Sequence, residues 1–170
     1  MRRNIAIFTL LISTLFSAWL YWGSDYKERQ LLKTYEWQSK LTTYIEQKQL
    51  ADFGPLRKVD VTSNVKYLPN NSYIRLSVIR LYAVNDQPET TVSISETGTW
   101  ELSDDYLLLS PTEFKDMSSN TSKEFTPEQL GVITQFFKMD AQQSRRVDIV
   151  DNKTILLTGL NHDSILLYAR

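Results

Sequence analysis

An uncharged segment near the start of the chain constrains its architecture more than any other feature. Arg2 and Arg3 precede 21 residues, Asn4 to Ser24, that carry no charge. As a helix rising about 1.5 Å per residue, this segment would extend for roughly 31 Å, the thickness of a bilayer hydrocarbon core. The sequence therefore predicts a transmembrane anchor within residues 1–24.

Positive charge and aromatic residues indicate how this anchor is oriented. Because basic residues flank the cytoplasmic side of membrane segments, Arg2 and Arg3 place the N-terminus in the cytoplasm and the rest of the chain on the opposite side. The aromatic residues at the end of the segment suit the outer interface of the bilayer. The residues predicted to form the anchor are Ile5, Ile7, Phe8, Leu10, Leu11, Ile12, Leu15, Phe16, Trp19, Leu20, Tyr21 and Trp22.

A cleaved signal peptide is the alternative interpretation of the same segment. Its basic start would fit, but the apolar run is longer than the roughly 7 to 15 residues of an ordinary signal peptide core. Phe16 also stands where a small residue is needed for cleavage after Ala18. We therefore expect the anchor to be retained.

Composition limits what the remaining 146 residues can be. They suffice for one domain with one hydrophobic core. Their 17 basic and 20 acidic residues give a net charge of −3 without a basic cluster, which argues against direct binding of nucleic acid. The chain has no cysteine, which excludes disulfides, thiol nucleophiles and thiolate metal sites.

The segment after the anchor has helical character. Residues 25–49 contain no glycine or proline, and their apolar residues recur at helical spacing until Gly54-Pro55 ends the pattern. We expect a stalk or packing helix within residues 25–54; a helix that binds a partner is the alternative. The β-rich domain would then occupy residues 55–170.

Alternating apolar and polar residues predict that this domain is mainly β, an antiparallel meander with flanking helices. A threonine cap, Pro127 and Gln129 predict one helix from Thr126, with Phe136 and Phe137 facing the core, and Gly98 predicts a bulge. Seven strands that do not close would leave exposed edges, which a partner strand could cover. The predicted strands are 59–67, 73–83, 90–102, 106–114, 144–150, 154–160 and 164–168.

Strand parity indicates which side chains could converge inside a small barrel. Such an interior either fills with side chains or holds one small ligand, and the pattern alone does not choose between these. The residues predicted to line the interior, as a ligand chamber or a packed core, are Val59, Val61, Ile74, Leu76, Val92, Ile94 and Trp100.

The sequence offers little material for catalysis. His162, the only histidine of the chain, falls in a predicted turn, and Asp104-Asp105 also reads as a turn between strands. Without cysteine or a second histidine, the usual nucleophilic and histidine-metal sites lack parts. We therefore predict no catalytic residues, no metal and no cofactor; an anchored hydrolase is the disfavoured alternative.

Four stretches spread over nearly the whole chain resemble the ToxS family, the membrane-anchored companions of the ToxR transcription regulators of Vibrio and related bacteria. They are L-Y-W-G-S-D (20–25), G-P-L-R-K-V-D-V-T-S-N-V-K-Y-L-P-N (54–70), F-K-D-M-S-S-N (114–120) and F-K-M-D-A-Q-Q-S-R-R-V-D-I-V (137–150).

This resemblance implies a single-pass protein of the cell inner membrane with its C-terminal domain in the periplasm. Such a protein would bind the periplasmic domain of ToxR, protect it from proteolysis and favour its active state. By similarity to the VtrA–VtrC pair, whose joint barrel binds bile salts, the domain would be an incomplete lipocalin-like barrel that the partner completes. A stand-alone lipocalin-like carrier or envelope-assembly factor is the alternative function.

Overall fold

A computed structural model of the chain describes residues 2–23, 26–44, 56–83, 90–116, 126–160 and 163–170. The described part contains three helices and eight strands. The helices are α1 (Arg2–Gly23), α2 (Tyr26–Thr34) and α3 (Pro127–Ala141). The strands are β1 (Glu36–Tyr44), β2 (Lys58–Tyr67), β3 (Ser72–Tyr82), β4 (Thr90–Ser103), β5 (Tyr106–Asp116), β6 (Arg145–Asp151), β7 (Thr154–Gly159) and β8 (Ser164–Ala169).

α1 presents apolar side chains on its surface, including Phe8, Leu15 and Trp19. The side chains of Ile5, Leu20, Tyr21 and Trp22, four of the predicted anchor residues, lie outside the described part. Within the residues that are described, no helix combines the length and the apolar character needed to cross a membrane.

The helix predicted after the anchor ends much earlier than its sequence pattern indicates. α2 stops at Thr34, and residues 36–44 form β1, which pairs with β2 along its whole length from Glu36↔Lys66 to Tyr44↔Lys58. The buried Trp37 donates a hydrogen bond from Nε1 to the Leu32 carbonyl oxygen (2.9 Å), which satisfies an acceptor at the end of α2. The prediction of helix for residues 36–44 was wrong, and the barrel begins before residue 55.

The strands form a closed antiparallel barrel in the order β1 to β8. The mainly β prediction is confirmed, whereas the prediction of an incomplete barrel of seven strands was wrong. β1 supplies the strand that the sequence pattern hid, because it pairs with β2 on one side and with β8 on the other.

Closure of the barrel depends on two short seams. Within the described residues, the register of β5 with β6 consists of Tyr106↔Arg146 and Leu107↔Arg145, and that of β1 with β8 consists of Trp37↔Ala169 and Gln38↔Tyr168. One backbone hydrogen bond extends each seam, from the Val147 N–H to the Asp105 carbonyl oxygen (2.7 Å) and from the Arg170 N–H to the Glu36 carbonyl oxygen (2.9 Å). The strands also differ in length around the barrel: β6, β7 and β8 have 7, 6 and 6 residues, whereas β3, β4 and β5 have 11, 14 and 11. The barrel is therefore closed at the end that holds both seams, which we call the narrow end.

Two hydrophobic clusters fill the two ends of the barrel. The cluster at the narrow end packs Trp37, Tyr67 and Trp100 against Leu32 of α2. Tyr67 and Trp100 meet edge to face with ring centroids 5.4 Å apart, a favourable aromatic geometry. The cluster at the opposite end, which we call the wide end, contains Leu81 and Val92 among others and receives Ile133 from α3.

α3 begins as its sequence predicts. Thr126 Oγ1 accepts a hydrogen bond from the Gln129 backbone N–H (3.3 Å), and Gln129 Oε1 accepts one from the Thr126 N–H (3.0 Å). Phe137 packs against the wide-end cluster, but Phe136 is 59% exposed. The prediction that both phenylalanines face the core was therefore wrong for Phe136, which lies on the outer face of the helix.

Candidate functional site

The barrel encloses a chamber of about 100 Å³ between the two clusters. β1 to β5, β7, β8 and α3 contribute apolar side chains to its wall, and polar side chains complete the lining. The apolar residues are Leu41, Val61, Val65, Ile79, Ile94, Leu107, Leu109, Phe114, Phe137, Ala141, Leu157, Ile165 and Leu167. The polar residues are Ser39, Ser63, Tyr67, Arg75, Ser77, Glu96, Lys138, Asp140, Gln143 and Arg145.

A buried ion pair joins β3 and β4 inside the barrel. Arg75 Nε lies 3.0 Å from Glu96 Oε2, and Arg75 Nη2 lies 2.7 Å from Oε1 and 2.6 Å from Oε2. The Tyr73 hydroxyl donates a further hydrogen bond to Glu96 Oε1. Because Glu96 is only 4% exposed, this carboxylate depends on these two partners for its stabilisation.

The environment of this network shifts the pKa values of Arg75 and Tyr73. Burial alone would lower the pKa of Arg75, but the adjacent Glu96 charge and hydrogen bonds raise it overall, so the guanidinium stays charged. Burial, with the hydrogen bond to Glu96, raises the pKa of Tyr73. Beside the Glu96 carboxyl group, the network thus favours a charged guanidinium at Arg75 and a neutral phenol at Tyr73.

Gly98 makes room for this network. A Cβ at Gly98 would lie 2.8 Å from Pro111 Cα and 2.9 Å from Tyr73 Cε1, and would also collide with the Ser110 carbonyl oxygen. The register between β4 and β5 shifts between Thr97 and Gly98, which confirms the predicted bulge. The missing side chain lets β5 and the Tyr73 ring approach β4 closely.

A second cationic group, Arg145, lies where α3 leads into β6. Arg145 Nη1 lies 2.7 Å from Asp163 Oδ2, and Nη2 lies 2.9 Å from Asp140 Oδ1. The Arg145 side chain is largely buried, whereas those of Asp140 and Asp163 are partly exposed. Arg145 therefore links the end of α3 to the segment before β8 at the wall of the chamber.

Burial raises the pKa of Tyr67 to about 12 from its ordinary value near 10. Since the neutral phenol is the form favoured by folding, its contribution to stability is complete below pH 10 and is lost as the pH rises towards 12. We expect the Tyr67→Phe variant to lose less stability than the wild type over this interval, as measured by circular dichroism of the full-length chain. Tyr106→Phe, at an exposed tyrosine, is the control and should behave as the wild type. Equal losses in all three proteins would contradict the assignment.

The structure brings five of the seven predicted interior residues into the barrel. Val61 and Ile94 line the chamber, Val59 and Val92 belong to the wide-end cluster, and Trp100 belongs to the narrow-end cluster. Whether any of them contacts a ligand stays a prediction.

The placement of Ile74 and Leu76 inside the barrel was wrong. They are 50% and 39% exposed, because β3 turns Tyr73, Arg75, Ser77 and Ile79 inward instead. Sequence reasoning also missed Arg75, Glu96 and Arg145. The sequence signal for the ion pair was a charged residue of opposite sign within each of two consecutive strands, Arg75 on β3 and Glu96 on β4.

The described residues assemble no recognisable catalytic site. Among them, no group of three or more histidine, aspartate or glutamate side chains is placed to hold a metal ion. Asp104 and Asp105, with φ of 51° and 64°, form the turn between β4 and β5, as predicted. His162 lies outside the described residues.

The structure defines a closed β-barrel with an internal chamber, and comparison with known proteins defines the class of the protein. A family model described as the trans-membrane regulatory protein ToxS matches residues 21–168. The chain therefore belongs to the ToxS family of regulatory proteins.

Two relatives match over nearly the whole chain, and each is named "Transmembrane regulatory protein ToxS". The protein of Vibrio cholerae serotype O1 is 56% identical over 168 residues, which cover 98% of this chain and 97% of the relative. The protein of Vibrio parahaemolyticus serotype O3:K6 is 55% identical over 169 residues, which cover 99% of both chains.

Proposed function

We propose that the chain is a non-enzymatic membrane protein that binds the periplasmic domain of a ToxR-like transmembrane transcription activator and protects it from proteolysis. Membership of a regulatory family and the absence of an assembled catalytic site in the described residues support this function. The observation that carries the proposal is the pair of short seams, because the strands beside them keep edges with which a partner strand could pair.

The proposed location is the inner membrane, with the N-terminus in the cytoplasm and the barrel in the periplasm. The family description and the names of both relatives include the word transmembrane. Arg2 and Arg3 before 21 uncharged residues support α1 as the anchor, as do the exposed apolar side chains of α1.

The partner would dock beside the seams. Within the described residues, β5 pairs with β6 only at Tyr106 and Leu107, so its strand pairing from Leu108 to Asp116 is with β4 alone. β1 beyond Gln38 likewise pairs only with β2. Unpaired edges of this kind accept a strand from another chain, with main-chain hydrogen bonds supplying affinity.

The proposed ligand of the paired proteins is a bile salt, an amphipathic steroid with a charged tail. The chamber has the matching chemistry, since its lining combines apolar side chains with arginine and serine side chains. Its volume of about 100 Å³ is well below the roughly 300–1,000 Å³ of pockets for drug-sized ligands. The partner would therefore enlarge the chamber, and ligand binding would stabilise the pair by mass action.

The lifetime of the partner in membranes tests this function. Leu108 on β5, just beyond the seam, and Leu76 on β3, within the continuous sheet, are both 39% exposed. We expect Leu108→Lys to shorten the lifetime of a co-expressed full-length ToxR-like regulator several-fold in a pulse-chase experiment, with Leu76→Lys as the matched control that leaves it unchanged. If the partner decays at the same rate with and without this chain, the protective function is wrong.

Closure of the barrel by its own eight strands favours a second candidate, a stand-alone lipocalin-like carrier. A carrier would bind its ligand without a partner. Calorimetry of the full-length chain alone with a bile salt separates the two functions. Binding as tight as that of the co-purified pair would favour the carrier, and binding only by the pair would favour the regulatory partner.

A further inference from the structure

α3 contributes part of the chamber wall, and few of its residues are buried. Of its 15 residues, only Ile133 and Ala141 are buried. Val132, Phe136 and Met139 are exposed, and the Lys138 Nζ lies 5.2 Å from the centre of the Phe114 ring. An element with few buried apolar contacts is the one expected to open at the lowest free-energy cost.

The chamber wall shows what α3 closes. Phe137, Lys138, Asp140 and Ala141 of α3 contribute to the wall, as do residues of β1 and β5. β1 and β5 do not pair with each other or with β8 and β6 in this region, within the described residues. Displacing α3 would therefore open and enlarge the chamber without breaking any pairing between strands.

Arg145 provides the strongest polar attachment of α3. Its guanidinium contacts both oxygens of Asp140 in the last turn of the helix, at 2.9 and 3.1 Å, and contacts Asp163 at 2.7 Å. Because the Arg145 side chain is largely buried, these pairs are screened less than surface pairs. The attachment sits at the end of α3 that faces the chamber.

We propose that α3 is a lid over the chamber and that Arg145 holds it shut through Asp140. This inference rests on the proposed function, because it describes how the same chamber becomes accessible. Arg145 also lines the chamber, so a negatively charged ligand would compete with Asp140 for the guanidinium and release the lid. A chamber too small for a steroid in the closed state would thus open when such a ligand arrives.

Alkylation of single cysteines in the full-length chain tests the lid directly. The chain has no cysteine, so Ile133→Cys places one thiol under α3 and Ile155→Cys places one in the narrow-end cluster. The first thiol reacts when the lid opens, whereas the second requires unfolding of the barrel. We expect the cysteine at position 133 to react at least about tenfold faster, since local opening costs less than global unfolding.

Asp140→Asn then tests the role of Arg145, with each rate compared within the same cysteine background. We expect it to accelerate alkylation at position 133 roughly five- to tenfold, as loss of a charge-assisted pair predicts, with little change at position 155. The matched control is Asp148→Asn, which removes the exposed pair of Asp148 with Arg146 on the same strand and should change neither rate.

Three results would overturn the proposal. Equal rates at positions 133 and 155 would show that α3 opens only with the whole barrel. An unchanged rate at position 133 in Asp140→Asn would show that Arg145 does not hold the lid, and equal acceleration at both positions would show general destabilisation. These measurements use neither partner nor ligand, so their failure is distinct from failure of the proposed function.

Discussion

Replacing Glu96 with leucine should destabilise the full-length chain by about 3–5 kcal/mol, because it leaves the Arg75 guanidinium inside the barrel without its carboxylate. The Tyr73 hydroxyl would lose its acceptor at the same time. Thermal unfolding followed by circular dichroism would measure the change. The double variant Arg75→Met with Glu96→Leu should recover most of the loss, because apolar replacement of a whole buried pair is often neutral.

Glu113→Leu is the control for this prediction. It removes the exposed pair between Glu113 and Lys115 and should change stability by no more than about 0.5 kcal/mol. If the Glu96→Leu variant unfolds at the same temperature as the Glu113→Leu variant, the internal pair does not stabilise the barrel. A double variant as unstable as Glu96→Leu alone would show that the cost does not come from the unpaired charge.

Gly98→Ala should cost about 3 kcal/mol, at the upper end of the usual range for overpacking. The added methyl would collide with the backbone of Ser110 and Pro111 and with the Tyr73 ring, and backbone cannot move aside as a flexible side chain can. Gly131→Ala is the matched control, because the added methyl would meet no atom within 4 Å beyond its chain neighbours and the adjacent backbone of α3. The control should stabilise the chain by about 0.5–1 kcal/mol, as expected for glycine in a helix.

The comparison of the two melting temperatures decides this prediction. Gly98→Ala should melt below the wild type and Gly131→Ala slightly above it. Equal melting temperatures for Gly98→Ala and the wild type would mean that β4 and β5 separate easily at the bulge. The bulge would then not be the support of the Tyr73–Glu96 contact.

Local signals were sufficient where the chain makes its own turns and caps. The Thr126–Gln129 capping box and the Asp104-Asp105 turn each satisfy backbone groups within a few residues, so their sequences predict them directly. The β4 strand also followed its apolar parity, since Val92, Ile94 and Trp100 all point inward. These elements required no knowledge of distant partners.

Long-range pairing decided the elements that the sequence did not reveal. β3 carries apolar residues on both faces at its centre, and Arg75 looks like a surface residue until Glu96 from β4 is placed beside it. That buried pair turns Arg75 inward and moves Ile74 and Leu76 to the surface. Similarly, residues 36–44 have helical spacing, but Trp37 and the pairing with β2 and β8 make them a strand.

The site was harder to predict than the fold, since it depends on residues far apart in the sequence. The role of Arg145 depends on its ion pairs with Asp140 on α3 and Asp163 before β8, which the local sequence does not reveal. The two short seams depend on how strands far apart in the sequence pair with one another. Neither feature leaves a local pattern, whereas the uncharged segment near the start of the chain and the family resemblance can be read from contiguous residues.

Calorimetric titration of the co-purified full-length pair with a bile salt tests the central claim most directly, which is that the chamber of this barrel binds the ligand of the pair. Ile94→Asp puts a carboxylate on the apolar wall of the chamber, and Leu76→Asp puts the same group on the outer face of the neighbouring strand. We expect a folded Ile94→Asp pair to lose at least about tenfold in affinity, equivalent to 1.4 kcal/mol, while the Leu76→Asp pair binds as the wild type does. Equal binding by both variants would contradict the account.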